Sequence, residues 1–272
     1  MRGRRLILAL VATMAAIGVA VWVQHLSTGA RRATPVCHAT ASNATFAMDL
    51  EQAANATTVA AVGKRLGMPD HAVTVALAAA LQESRLHNLS HGDLDSVGLF
   101  QQRPSQGWGT PSEIMVPRYA AAAFYQHLAA VSGWETMSVT DAAQAVQRSA
   151  APGAYAQWEA ESRVLAQVLT GEVPAGLACS YKPAPGPGAS NELSQAMTLE
   201  LGSPLTAASV SPSRGWTVAT WLVGHAHQYA IPLVAFDGKR WTPSRGSWKS
   251  DPAAPSVVRI AATGNPKTGP PR

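Results

Sequence analysis

The pattern of apolar and polar positions divides the chain into unequal parts. Leu6 to Val23 is an uncharged apolar run of 18 residues. As a helix it would span about 27 Å, enough for the hydrocarbon core of a bilayer. Arg2, Arg4 and Arg5 precede it and would hold the N-terminus inside, leaving the rest of the chain outside. Residues 1–32 are therefore expected to form a single-pass membrane anchor. The competing reading is a secretory signal cleaved near Thr28-Gly29-Ala30, which would release the protein from the cell.

Beyond that run the apolar positions recur at helical spacing. A polar spacer, 33–45, leads to a helical pattern over 48–66 that stops at Gly67 and Pro69. Asp70 can cap the next helix, HAVTVALAAALQESRL. Further helices are expected near 118–131, from Thr140-Asp141 onward, and over 154–170, with breaks at Pro152-Gly153, Gly171 and Pro174. No strand signal interrupts them, which predicts an α domain over 37–179. Residues 180–213 open with YKPAPGPG and read as a Pro/Gly-rich linker. Residues 214–262 then combine the helical run GWTVATWLVGHAHQYA with strand-like IPLVAF, a DG turn, KRW and VVRI. The fold class is thus mainly α, a helical domain followed by a small α+β module, with a disordered tail over 263–272.

Charge changes this picture in one respect. The formal net charge of +5 suggests a nucleic-acid binder, but the five arginines of residues 1–32 account for it, leaving 16 basic against 16 acidic residues. Nucleic acid is therefore excluded as the expected partner. Residues 180–272 hold 9 basic and 4 acidic residues, which suits either an anionic polymer or an ordinary solvated surface. The two cysteines, Cys37 and Cys179, bracket the helical domain. Outside the cytoplasm they are expected to form one disulfide; two unrelated buried thiols are the alternative.

Candidate chemistry concentrates in LQESRLHNLSHGDLDSVGLFQQ, Leu81 to Gln102. Glu83 ends an apolar helix, with Ala80, Ala79 and Ala76 one and two turns back on its face. Small apolar neighbours would leave room for a ligand and raise the carboxyl pKa, so that the group can donate a proton. A glycosidic leaving oxygen needs such a donor. A surface pair between Glu83 and His87, four residues on, is the plainer alternative.

Glu83-Ser84 followed by Gly98-Leu99-Phe100-Gln101 resembles the lysozyme-like lytic transglycosylases and goose-type lysozymes, within them the membrane-anchored actinobacterial wall proteins. There a helix ends in Glu-Ser and a loop leads to Gly-Leu-Met-Gln. The resemblance covers about residues 48–170. It implies a lysozyme-like fold, Glu83 as the single catalytic acid, and Gln101 lining a glycan groove, with Ser84 and Gln102 positioning the glycan or the acid. It implies no cofactor and no metal, and peptidoglycan glycan strands as the partner of a monomeric protein. The chain departs from the family at Ala145-Val146-Gln147-Arg148-Ser149, where Val146 replaces the tyrosine that supports the acid; Tyr155 could substitute from another direction.

The remaining candidates carry less. Asp93 and Asp95 shape the loop as turn residues, and the anhydro-forming reaction of the resembled family needs no second carboxylate. The calcium-loop pattern that begins at Asp93 fails at Val97 and Pro104. Trp108 either stacks on a sugar or plugs the core. His225 and His227 cannot share a metal on one helix. The expected activity is non-hydrolytic cleavage of peptidoglycan outside the cytoplasm; the alternative is a non-catalytic wall-binding or scaffold protein.

Overall fold

The run that carries Glu83 is hydrophobic on every side, and such a helix is stable only when surrounded. In the computed structural model, which describes residues 34–183, 190–203 and 210–260, it forms α2 (Asp70–Ser84) at the centre of the molecule. Residues 72–81 are all buried. Around it lie α1 (Leu50–Arg65), the single-turn α3 (Pro111–Ile114), α4 (Pro117–Ala129), α5 (Val139–Gln147) and α6 (Glu159–Leu169). Alanine lets these helices approach closely. The α2 helix ends by turning left-handed at Arg85 and Leu86. The Arg85 amide donates to the Leu81 carbonyl and the Leu86 amide to that of Ala80, a Schellman-type stop that leaves Glu83 in the last turn.

The helix start at α1 is capped reciprocally. Asp49 accepts from the Gln52 amide at 2.9 Å and Gln52 accepts from the Asp49 amide at 2.8 Å. Asp49 also meets His87 at 2.9 Å, tying the start of α1 to the loop just past Glu83. Burial opposes the charged His87, but Asp49 and Glu51 outweigh it and raise its pKa. A raised histidine pKa stabilises the fold fully below the unfolded value, about 6.5, and that contribution fades as pH rises through the higher folded value. The melting temperature of the parent should therefore exceed that of His87→Gln near pH 6, with the gap shrinking toward pH 8. A gap that widens over that range would contradict the pairing.

The spacer is not unstructured. It forms β1 (Val36–Ala41) and β2 (Ala44–Met48), and β3 (Leu177–Ser180) completes an antiparallel sheet in the order β2-β1-β3. Cys37, Ala39 and Ala41 face inward and His38 and Thr40 outward, the period-2 alternation of a half-buried strand. Cys37 lies opposite Cys179 in the register and the two form a disulfide, with Cα atoms 3.9 Å apart. The expectation of a domain without strands is thus corrected at both of its ends.

Residues 180–213 are more than a linker. They contain α7 (Ser190–Leu201), whose Leu193, Ala196, Met197 and Leu201 are buried. Next comes α8 (Pro212–Gly224), then β4 (Val234–Phe236), β5 (Lys239–Trp241), β6 (Lys249–Ser250) and β7 (Arg259–Ile260) in the order β6-β5-β4-β7. This region shares its hydrophobic core with the preceding helices instead of standing apart from them. The indoles of Trp241 and Trp248 donate to the Cys179 and Leu177 carbonyls of β3 at 3.1 and 2.7 Å. The Glu200 carboxylate accepts from Thr58 of α1 and Trp221 of α8, both at 2.7 Å. The mixed α+β content agrees with the expected elements, and among the described residues these elements contribute to one core cluster.

The transmembrane expectation finds no span among the described residues: no helix there is long and apolar enough to cross a membrane. Leu6–Val23, on which the anchor and signal readings rested, lies outside those residues, as does the 263–272 tail.

Candidate active site

The left-handed stop of α2 throws the chain into the loop 85–103, which must be pinned if Glu83 is to face a defined space. Two side chains pin it. The Ser84 hydroxyl donates to the Leu99 carbonyl at 2.7 Å, and the Gln147 amide at the end of α5 donates to the Phe100 carbonyl at 2.8 Å. Leu99 and Phe100 are buried, so they anchor the loop to the core, and the neighbouring Ser96, Gln101 and Gln102 border a cleft. Gly98 has φ +81°, and a Cβ there would sit 2.9 Å from the Ile114 carbonyl oxygen, so only glycine fits this close approach.

Glu83 opens into that cleft of about 310 Å³, together with Asp93, Gln101, Arg103, Trp108 and Arg148. It is half-buried. Burial raises its pKa above the ordinary glutamate range, and hydrogen bonding from Tyr155 and Gln147 partly opposes the rise. The Tyr155 hydroxyl donates to Glu83 Oε1 at 2.7 Å. Tyr155 is fully buried, and desolvation together with the neighbouring carboxylate pushes its own pKa far up, so it remains a donor. It reaches Glu83 from the 3-10 segment Pro152–Trp158. Val146 is buried in α5 instead. The support missing at Val146 is thus supplied by the next segment. His87 pairs with Asp49, not with Glu83.

The predicted site residues part company here. Gln101 lines the cleft from a left-handed backbone position, φ 48°, with its amide nitrogen on the Gly98 carbonyl at 3.1 Å. Gln102 also borders the cleft, but its side chain is buried and donates to the Ala120 carbonyl at 3.1 Å. Ser84 is buried as well, so its hydroxyl positions the loop and does not meet a ligand. The expectation that the alanines beside Glu83 leave room for a ligand is corrected too. Ala76, Ala79 and Ala80 are fully buried against other helices, so they desolvate the helix that carries Glu83 without lining the cleft. Tyr155 contacts the acid rather than open space. Trp108 is partly exposed, stacks on His127 with ring centroids 3.9 Å apart, borders the cleft and packs against the core as well.

Asp95 is a loop tie. Arg103 and Ser105 hold it at 2.8 Å each, Arg103 acting most strongly to keep its carboxyl well below the usual range. Asp93 is exposed at the cleft edge. His225 is buried against Thr57, Thr58 and the Trp221 carbonyl, while His227 packs edge-on to Tyr181. The two imidazoles meet different neighbours. A larger hollow of about 580 Å³ lies by Lys64, Asp70, Glu172 and Arg214. There Asp70 is paired with Lys64 at 2.7 Å and Glu172 is exposed.

Sequence reasoning overlooked Gln147 and Arg148 as part of the cleft. The only signal was their place in the stretch Ala145–Ser149, beside the Val146 departure. No family model matches the chain, and no curated protein matches it.

Proposed function

We propose that the chain is a lysozyme-like lytic transglycosylase acting on peptidoglycan outside the cytoplasm. The observation that carries this reading is the buried Tyr155 hydroxyl held 2.7 Å from a half-buried carboxyl at the end of an apolar helix, facing an open cleft. Burial raises the pKa of this carboxyl and so favours the protonated form that glycosidic cleavage requires. Glu83 protonates the oxygen of the β-1,4 bond between N-acetylmuramic acid and N-acetylglucosamine, and that bond breaks. As a carboxylate it then takes the proton from the C6 hydroxyl, whose oxygen closes on C1 to give a 1,6-anhydro ring. No water is consumed and the acid is regenerated. Tyr155 orients Oε1 and stabilises the carboxylate formed between the two steps. The disulfide of Cys37 and Cys179 suits an oxidising, extracytoplasmic setting.

The experiment is incubation of purified peptidoglycan with the protein. Soluble fragments ending in anhydro rings support the lyase, and fragments heavier by one water would make it a hydrolase. Protein that sediments with intact wall and releases nothing would replace the enzyme with a wall-binding protein.

The tyrosine gives a separate prediction. Its hydroxyl favours the charged carboxylate, so Tyr155→Phe should raise the Glu83 pKa further. Activity that needs the protonated acid falls as pH rises through that pKa. The alkaline limb of the pH–rate profile should therefore move to higher pH in Tyr155→Phe, while the maximal rate falls about tenfold from the lost charge-assisted bond. A limb that moves to lower pH would contradict the assigned role.

A further inference from the structure

The cleft at Glu83 does not end at Trp108. Gln106, Trp108, Gln147 and Arg148 also bound a second cleft of about 520 Å³, which continues past His127. These four shared residues make the two clefts neighbours, so a polymer longer than the Glu83 cleft would extend beside Arg148. Among the four, Arg148 stands out. It caps α5 with φ 50° and ψ 40°, a left-handed backbone position that disfavours side chains other than glycine or asparagine. Its side chain is exposed and makes no hydrogen bond or ion pair among the described residues. Arg103, the other guanidinium of the cleft, is occupied by Asp95 at 2.8 Å. Beside Arg148, Trp108 and His127 stack with ring centroids 3.9 Å apart and both border the second cleft. A sugar face suits an aromatic ring, and a carboxylate suits a guanidinium in its fork geometry.

We propose that Arg148 selects a carboxylate carried by the glycan on the Trp108 side of Glu83, so that the cleft prefers acidic muramoyl units over neutral N-acetylglucosamine units. This rests on the reading of the cleft as a glycan site. Two sources share the chemistry, the lactyl group of an unsubstituted muramoyl unit and the carboxylates of a peptide stem.

The test measures binding in a Glu83→Gln background, where ligand is not consumed. Three soluble β-1,4-linked tetramers serve as probes: one of N-acetylglucosamine alone, one alternating with muramoyl units bearing free lactyl carboxylates, and one alternating with muramoyl units bearing peptide stems. Adding Arg148→Gln should weaken an acidic tetramer about tenfold at low salt and change the neutral one less than twofold. The acidic preference should shrink in 0.5 M salt, as screening predicts (Debye length of about 4 Å there). The acidic probe that responds identifies the source. Arg148→Gly removes the side chain while relaxing the left-handed backbone, so it should fold at least as well as the parent and give the same selective loss. Equal weakening of neutral and acidic tetramers, or no weakening of either acidic one, overturns the proposal while leaving the glycan cleft intact. If the Glu83→Gln protein binds none of the tetramers, the glycan reading of the cleft falls and this inference falls with it.

Discussion

Glu83→Gln is expected to lower the rate of glycan cleavage by about 10²–10⁴, the usual worth of a positioned general acid. The amide keeps the size of the carboxyl and can still accept from Tyr155, but it has no proton to give. Its effect on stability runs the other way. Burial raises the Glu83 pKa, so above that pKa the folded protein holds a carboxylate that would be better solvated in the unfolded chain. A neutral amide removes this cost. The variant should melt no lower than the parent at pH 7, and the difference should vanish as pH falls below the unfolded value, about 4.3. A dead enzyme with a raised or equal melting temperature is what a functional carboxyl gives. A variant that loses activity and melts well below the parent would mark Glu83 as structural instead.

The second large effect concerns the sheet that closes the ends of the helical region. Cys37 and Cys179 are fully buried and lie opposite each other on β1 and β3, 142 residues apart in sequence. Crosslinking a loop of that size restricts the unfolded chain, and in the chain-entropy model this stabilises by about 5 kcal/mol. Cys37→Ala with Cys179→Ala, or reduction of the native protein, should lower the unfolding free energy in urea by about 3–5 kcal/mol. The Glu83 site is built from α2, α5, the 85–103 loop and the segment 152–158, none of which contains either cysteine. Activity per folded molecule should therefore survive where the fold does. A change below about 1 kcal/mol would show that the ladder between β1 and β3 holds the ends without the bond.

How much of this the sequence discloses depends on side-chain size. The helices at α1, α2, α4, α5 and α6 are legible because their apolar runs are long and end at glycine, proline or capping residues. The β1 strand hides because its inward positions are Cys37, Ala39 and Ala41, too small to register as a hydrophobic alternation. The α7 helix hides behind the prolines that precede it and its scattered polar residues. At the site, Glu83 draws notice from its place at the end of an apolar helix, and Gln101 only through the family resemblance. The direction of a side chain cannot be read in this way. Ser84 and Gln102 stand next to those two residues yet turn inward to the Leu99 and Ala120 carbonyls. Tyr155 meets Glu83 only because the chain turns after Arg148, and that turn is a tertiary fact.

The most direct test of the central claim is a mass spectrum of the material that parent and Glu83→Gln release from purified peptidoglycan, side by side. The account predicts 1,6-anhydromuramoyl fragments from the parent and a yield lower by about two orders of magnitude or more from the variant. Equal yields from both proteins, or no fragments from the parent, would contradict it.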